Sequence, residues 1–190
     1  MRRAERPRPA APCARRLAER AEIRQKGFAS GNTPRGRPAA RDRRVIFTTT
    51  TGAGRLVQCR GAHAVYMGTT VNSTGVVKAA QSHGRDVVVI PAGLMTDPTF
   101  PAQEDWVAAA VIAAASGSVI GEGRTTFELW RDRIQREGVP ALFQSAPHAA
   151  KLRKVKLEAD ISICAEVDSI PAVPVVTDWN ALGGILSAWS

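Results

Sequence analysis

Apolar, β-branched runs alternate with stretches of helical period along most of this chain. Residues 45–50, VIFTTT, read as a first strand, broken by Gly52-Ala53-Gly54. A short helix is expected over 55–60 and a second strand over 63–67. Asn72 then opens a helix that runs to about Ser82 and stops near Gly84. Residues 86–90, DVVVI, are apolar without alternation, which suits a strand covered on both faces in a parallel sheet. After Pro91-Ala92-Gly93 and a polar loop comes an Ala-rich helix over 104–115, apolar on nearly all sides and therefore expected to be well buried. A more polar helix follows over 125–136, and another over 141–156, broken near Pro147. Residues 161–167 and 173–177 are short strand candidates. The pattern leaves open whether the tail at 178–190 is ordered.

Three strand–helix alternations mean an α/β fold: a layered, mixed but largely parallel sheet flanked by helices. In such sheets ligands gather outside the carboxyl ends of the strands. Those ends are Thr48 to Gly52, Gly68 to Asn72, and Pro91 to Gly93 with the loop to Glu104 and Asp105. If the strands are parallel, hydroxyls, glycines, an amide and two acids share one rim. Such a rim suits a phosphorylated ligand, because glycine lets the backbone come close and N–H groups that open a helix attract anions.

Charge changes the picture only at the front. Residues 1–44 carry fourteen Arg or Lys and four acids, and residues 45–190 carry twelve and thirteen. The high isoelectric point therefore belongs to the front end, of which residues 1–26 are expected to be a solvated, disordered basic tail. The Arg, Ala, Pro and Glu composition of residues 1–21 is what GC-rich DNA gives when read in a wrong frame or from a wrong start. A basic arm can bind nucleic acid through phosphates, but this one lacks the aromatic interleaving of a single-strand binder, so that reading ranks last. The three cysteines are far apart and make no CxxC pair, so neither a zinc site nor a disulfide framework is expected. No apolar run reaches membrane-spanning length. A cytoplasmic chain is expected.

Two features admit two readings each. Asn72 reads as a helix N-cap, its side-chain oxygen accepting an N–H from the first turn, and it can also face a ligand. Glu104 and Asp105 complement the macrodipole in a first helical turn. They can equally serve as hard oxygen ligands for Mg²⁺, which takes one or two carboxylates and completes its shell with water and substrate phosphate. No phosphate-binding loop, dinucleotide turn, zinc-protease helix or nucleophile elbow is present, and His63, His83 and His148 show no metal spacing.

Five ordered segments then resemble one family. FASGNTP at 28–34 is similar to "GFD-x-GNSP", FTTTTGAGRL at 47–56 to "LTTTNGTRAL", and GTTVNSTGVV at 68–77 to "GSFLNASAVA". PAGLMTDPTFPAQEDWV at 91–107 resembles "CAGT…ED", and ADISICAEVDSIPAVPVV at 159–176 resembles "DI-x-x-CA-x-xD…VPV". The resemblance is to the 2-phosphosulfolactate phosphatase (ComB-type) family and covers residues 17–177. It implies an α/β domain over 27–177 that hydrolyses (2R)-2-phospho-3-sulfolactate to 3-sulfolactate and phosphate, a step toward coenzyme M, with Mg²⁺ as cofactor. By this resemblance Glu104 and Asp105 help hold the metal and carry the catalysis. Asn32, Thr49, Thr50, Gly52 and Asn72 line the phosphate and sulfonate pocket, and Arg55 clamps an anionic group.

The departures shape a second expectation. The family opens with a strand like "VVIDVLRATTT", and nothing in residues 1–26 resembles it, although Leu17-Ala18-Glu19-Arg20 is similar to a later "GER". In the Thr-rich turn the family's Asn, Thr and Arg fall on Thr51, Ala53 and Gly54, with Arg55 one place later. The chain is thus expected to lack the family's N-terminal segment. The alternative function is an impaired or non-catalytic homologue that binds small anions, and a second copy could supply the missing sheet edge.

Overall fold

The strand expected at 45–50 forms as β2 (Val45–Thr48), and its partner is β1 (Leu17–Arg20), which lies inside the stretch read as a tail. The two run parallel, with Leu17 opposite Val45 and Arg20 opposite Thr48. The computed structural model of the protein describes residues 17–20, 33–36, 44–49, 51–93, 97, 99–181 and 183–189. Two units result, Met1–Thr48 and Thr49–Ser190. The described residues of the first contain β1, a 3-10 turn at Pro34–Gly36 and β2, whose Val45, Ile46 and Phe47 are exposed.

The second unit is mainly helical. In chain order it has α1 (Gly52–Gln58), a 3-10 turn (Thr70–Asn72), α2 (Ser73–Gln81), α3 (Gln103–Ala115), α4 (Arg124–Glu137), α5 (Val139–Ser145), α6 (Pro147–Lys154) and α7 (Glu158–Cys164). A hairpin, β3 (Pro174–Asn180) with β4 (Gly183–Ala188), follows them. Pro140 opens α5 and Pro147 opens α6, each in the first turn of its helix, where a missing N–H costs nothing; Pro147 thereby accounts for the break between α5 and α6.

α3 is the shared element. Its Val107 packs in one cluster with Val139, Leu142, Phe143, Ala149 and Ile161 from α5, α6 and α7. Its Ile112 packs in a second with Val76, Val77 and Ala79 of α2 and with Val173. A helix contacted on two sides needs apolar residues around most of its circumference, which accounts for its near-unbroken apolar sequence. Gly68 shows how close the second cluster comes. A Cβ there would stand 2.9 Å from Ile112 Cδ1 and 3.1 Å from Val76 Cγ1. Gly68→Ala is expected to cost about 1 kcal/mol by overpacking. Urea denaturation checks this, and an unchanged midpoint would mean that Ile112 gives way freely.

Three sequence expectations need correction. Residues 86–90 form no strand among the described residues; Val88 is 79% exposed and only Val89 joins a core cluster. A continuous apolar run signals two buried faces but does not supply the neighbouring strands. Residues 63–67 contribute one bridge, Tyr66 antiparallel to Val175, in place of a strand. Residues 161–167 belong largely to α7 rather than to a strand. There Ile161 and Ala165 are buried four positions apart, a helical spacing set by packing on α5 and α6. The fold is therefore mixed helix and strand. β1–β2 is the parallel pair among the described residues, and the other sheet is the antiparallel hairpin. The stretch left open at 178–190 supplies the end of β3 and the whole of β4.

α2 is fastened at its start from far along the chain. Asp168 accepts hydrogen bonds from the Thr74 N–H at 2.8 Å, Thr74 Oγ1 at 2.6 Å and Ser73 Oγ at 2.9 Å. Desolvation alone would raise its carboxyl, but the bonds from Thr74 and Ser73 together outweigh it and leave the pKa below the ordinary value.

Candidate active site

α3 opens with Gln103, Glu104 and Asp105, and each is tied to a different element. Gln103 Nε2 donates to Leu142 O at 2.6 Å and to Ser145 Oγ at 3.0 Å, which fixes the helix start on α5. Glu104 Oε1 lies 3.1 Å from His148 Nδ1 on α6. Its other oxygen, Oε2, is buried and has no hydrogen-bond partner among the described residues. A buried, unsatisfied carboxylate oxygen costs more than the ~1–3 kcal/mol of a neutral group, so native folds keep one only for a reason.

Asp105 Oδ2 accepts the Gly93 N–H at 3.0 Å. Burial, and secondarily the charge of Glu104, push its carboxyl from 3.8 up to about 6; the Gly93 bond and His148 oppose the rise. Gly93 has φ +63°, a left-handed conformation that glycine adopts without strain. The preceding residue contributes as well, because Arg55 Nε of α1 donates to Ala92 O at 3.0 Å. Arg55 Nη1 is held by Gln58 Oε1 at 3.0 Å. Consecutive residues 92 and 93 thus fasten a guanidinium from α1 and a carboxylate from α3 into one neighbourhood.

The structure therefore brings Arg55, Glu104 and Asp105 together through the segment that the sequence placed at the third rim end. Thr49 and Gly52 lie at the start of α1, the helix that carries Arg55. Thr49 Oγ1 already accepts the Ala53 N–H at 3.0 Å, and a Cβ on Gly52 would come within 3.3 Å of that oxygen. The hydroxyl oxygen is thus spent on its own helix, which leaves its O–H as the group it can offer a ligand.

Asn72 is placed differently. It is buried, its Oδ1 accepts the Thr69 N–H at 2.8 Å, and its Nδ2 donates to Met67 O at 3.2 Å and Ala172 O at 3.0 Å. It does not cap α2 with its side chain. Instead it is the third residue of a capping box on the 3-10 turn, reciprocal to Thr69. Every hydrogen bond it makes is internal. Asn32 and Thr50 lie outside the described residues.

His148 escaped the sequence reading. It stands 44 positions from Glu104 on another helix, and no local spacing marks it. Among the described residues no group of three or more His, Cys, Asp or Glu is arranged to hold a metal ion. The donor set at the start of α3 is two carboxylates, one with a buried unpartnered oxygen. That suits a hard cation that takes its remaining ligands from water and a substrate phosphate, and it does not suit an all-protein cage. Among the described residues, also, no helix is long and apolar enough to cross a membrane.

Comparison with known proteins agrees with the segments quoted above. The family model of 2-phosphosulpholactate phosphatase matches residues 6–178. The "Probable 2-phosphosulfolactate phosphatase" of Pseudothermotoga lettingae is 28% identical over 161 residues, covering 84% of this chain and 69% of that protein. The protein of the same name from Picosynechococcus sp. is 28% identical over 187 residues, covering 92% of this chain and 72% of its own. That from Carboxydothermus hydrogenoformans is 26% identical over 161 residues, covering 82% and 65%. With a match that begins ahead of β1 and ends within β3, the chain belongs to the 2-phosphosulpholactate phosphatase family of phosphoric monoester hydrolases.

Proposed function

We propose that this protein is a Mg²⁺-dependent phosphatase that hydrolyses (2R)-2-phospho-3-sulfolactate to 3-sulfolactate and phosphate. The reaction is the type used on the route to coenzyme M, and the enzyme acts in the cytoplasm. Family membership supports the reaction class. The observation that carries the site is the buried, unpartnered Oε2 of Glu104 beside an Asp105 whose carboxyl is raised to about 6. Two crowded carboxylates with an open oxygen raise the free energy of the empty site, and a divalent cation relieves both the repulsion and the missing contact.

Glu104 and Asp105 hold the ion in this reading. When bound there, it supplies positive charge to phosphate oxygens and stabilises the displacement. The chain's own groups do the rest. Arg55, braced by Ala92 O and Gln58, presents a fixed guanidinium to a phosphate or sulfonate oxygen. The Gly93 N–H fixes the Asp105 carboxylate in place through its Oδ2. Thr49 and Gly52 border the same helix start, where the Thr49 O–H serves as a neutral donor to the anionic substrate. Water is the nucleophile.

The deciding experiment is phosphate release from racemic 2-phosphosulfolactate by the folded chain, with Mg²⁺ and with a chelator. Release that requires the metal is the expected result. A folded chain that releases no phosphate from this substrate overturns the reading in favour of a non-catalytic anion binder or a phosphatase of a different substrate.

A further inference from the structure

A second group of metal-ligating side chains comes from segments other than the start of α3. His63 follows α1 in the chain, and His83 follows the end of α2. His63 Nε2 and His83 Nδ1 are 3.2 Å apart, and the rings meet edge to face with centroids 4.9 Å apart. The other nitrogen of His83, Nε2, is 2.7 Å from Tyr66 Oη. Tyr66 is itself anchored, because its backbone bridges Val175 and its ring packs against the α2–α3 cluster.

The nitrogen–nitrogen distance is informative. Two imidazoles that share a tetrahedral ion at bonds of about 2.0–2.1 Å hold their ligating nitrogens about 3.3–3.4 Å apart. In this structure the two nitrogens share a hydrogen bond at 3.2 Å, and replacing its proton with an ion asks for only ~0.1–0.2 Å more separation. Tyr66 supplies the remaining requirement. A ligating histidine needs its distal N–H bonded, so that the tautomer is fixed and the near nitrogen offers its lone pair. In the His83 tautomer that carries its proton on Nε2, Tyr66 Oη accepts that N–H and the lone pair of Nδ1 faces His63. Both histidines are exposed, so water can complete the shell and an ion can enter.

We propose that His63 Nε2 and His83 Nδ1 form a binding site for a borderline divalent transition-metal ion of the Zn²⁺ or Ni²⁺ class, with Tyr66 as the residue that orients His83. Imidazole donors select such ions, whereas Mg²⁺ demands oxygen, so the site is chemically distinct from the carboxylates of α3. With two protein ligands its remaining positions are open, and the ion exchanges with solvent.

The test is Zn²⁺ titration calorimetry on the full chain at neutral pH with Mg²⁺ in excess. The parent is compared with His63→Asn, His83→Asn, Tyr66→Phe and Glu104→Gln, and the folding of each is checked by metal-free thermal denaturation. Each histidine variant is expected to lose one Zn²⁺ equivalent or bind it at least ~10-fold more weakly. Tyr66→Phe is expected to weaken the same equivalent by about tenfold, and Glu104→Gln to retain it. A parent that binds Zn²⁺ no differently from His63→Asn overturns the proposal. So does loss of that equivalent in Glu104→Gln alone, which would assign it to α3. Because His63 is exposed and lies outside the helices, its variant tests the proposal even if His83→Asn fails to fold.

Discussion

Asp105→Asn is expected to abolish Mg²⁺-dependent phosphate release while making the metal-free protein more stable at neutral pH. A cation held by two carboxylates stabilises a phosphoryl transfer by several kcal/mol, so removing one charge should lower turnover on the order of 10²–10³-fold. The stability gain has a separate origin. The carboxyl of Asp105 is raised from 3.8 to about 6, mainly by burial and then by Glu104. Between those values the folded chain keeps a proton that the unfolded chain has released, so stability falls as pH rises through this window. The penalty is then constant at higher pH. The two-unit shift corresponds to ~3 kcal/mol at most, and partial solvation reduces it to about 1–2. Asparagine carries no charge to desolvate, and its Oδ1 still accepts the Gly93 N–H. The variant should therefore show a flat stability profile between about pH 4 and 6 and no stabilisation by Mg²⁺. Thermal denaturation with Mg²⁺ and with chelator, paired with the phosphate assay, reads both effects. A variant with parental turnover removes Asp105 from the site, and a parental pH profile removes the desolvation argument.

Leu142→Ala is expected to be the most damaging single core truncation, at about 2–5 kcal/mol. Leu142 is fully buried at the centre of the cluster joining α3 to α5, α6 and α7. Its carbonyl also receives the Gln103 side chain at the start of α3, next to Glu104 and Asp105. The truncation leaves that backbone bond in place and removes only side-chain packing. A midpoint about 5–15 °C lower is expected for a chain of this length. Loss under ~1 kcal/mol would mean that Val139 and Phe143 close over the cavity.

Several features were readable because they depend on neighbours within a turn or two. The α5–α6 break follows from Pro147, which cannot supply an N–H to a helix already under way. Helix α3 appears within one residue of its expected start, since an apolar period headed by two acids is a local signal. The ordered motifs carried the family for the same reason: they are contiguous, and their residues need not be placed in space to be compared.

Residues 86–90 mark the limit of that kind of reading. Their apolar run states what the side chains avoid but not which neighbours cover them, and among the described residues Val88 faces solvent. The isoleucines of 161–164 have strand propensity, yet they fold as α7 because packing on α5 and α6 outweighs a preference worth less than ~1 kcal/mol.

By itself the sequence determined the family, the helix boundaries set by Pro and Gly, and the adjacency of Glu104 to Asp105, all of which rest on covalent order and local sterics. Only the tertiary structure decided that Asn72 turns inward, that His148 meets Glu104, and that residues 92 and 93 join Arg55 to Asp105. It also decided that Asp105 is desolvated enough to raise its carboxyl. Desolvation and long-range hydrogen bonds depend on which distant segments exclude water from a group, and that information exists only once the chain has packed.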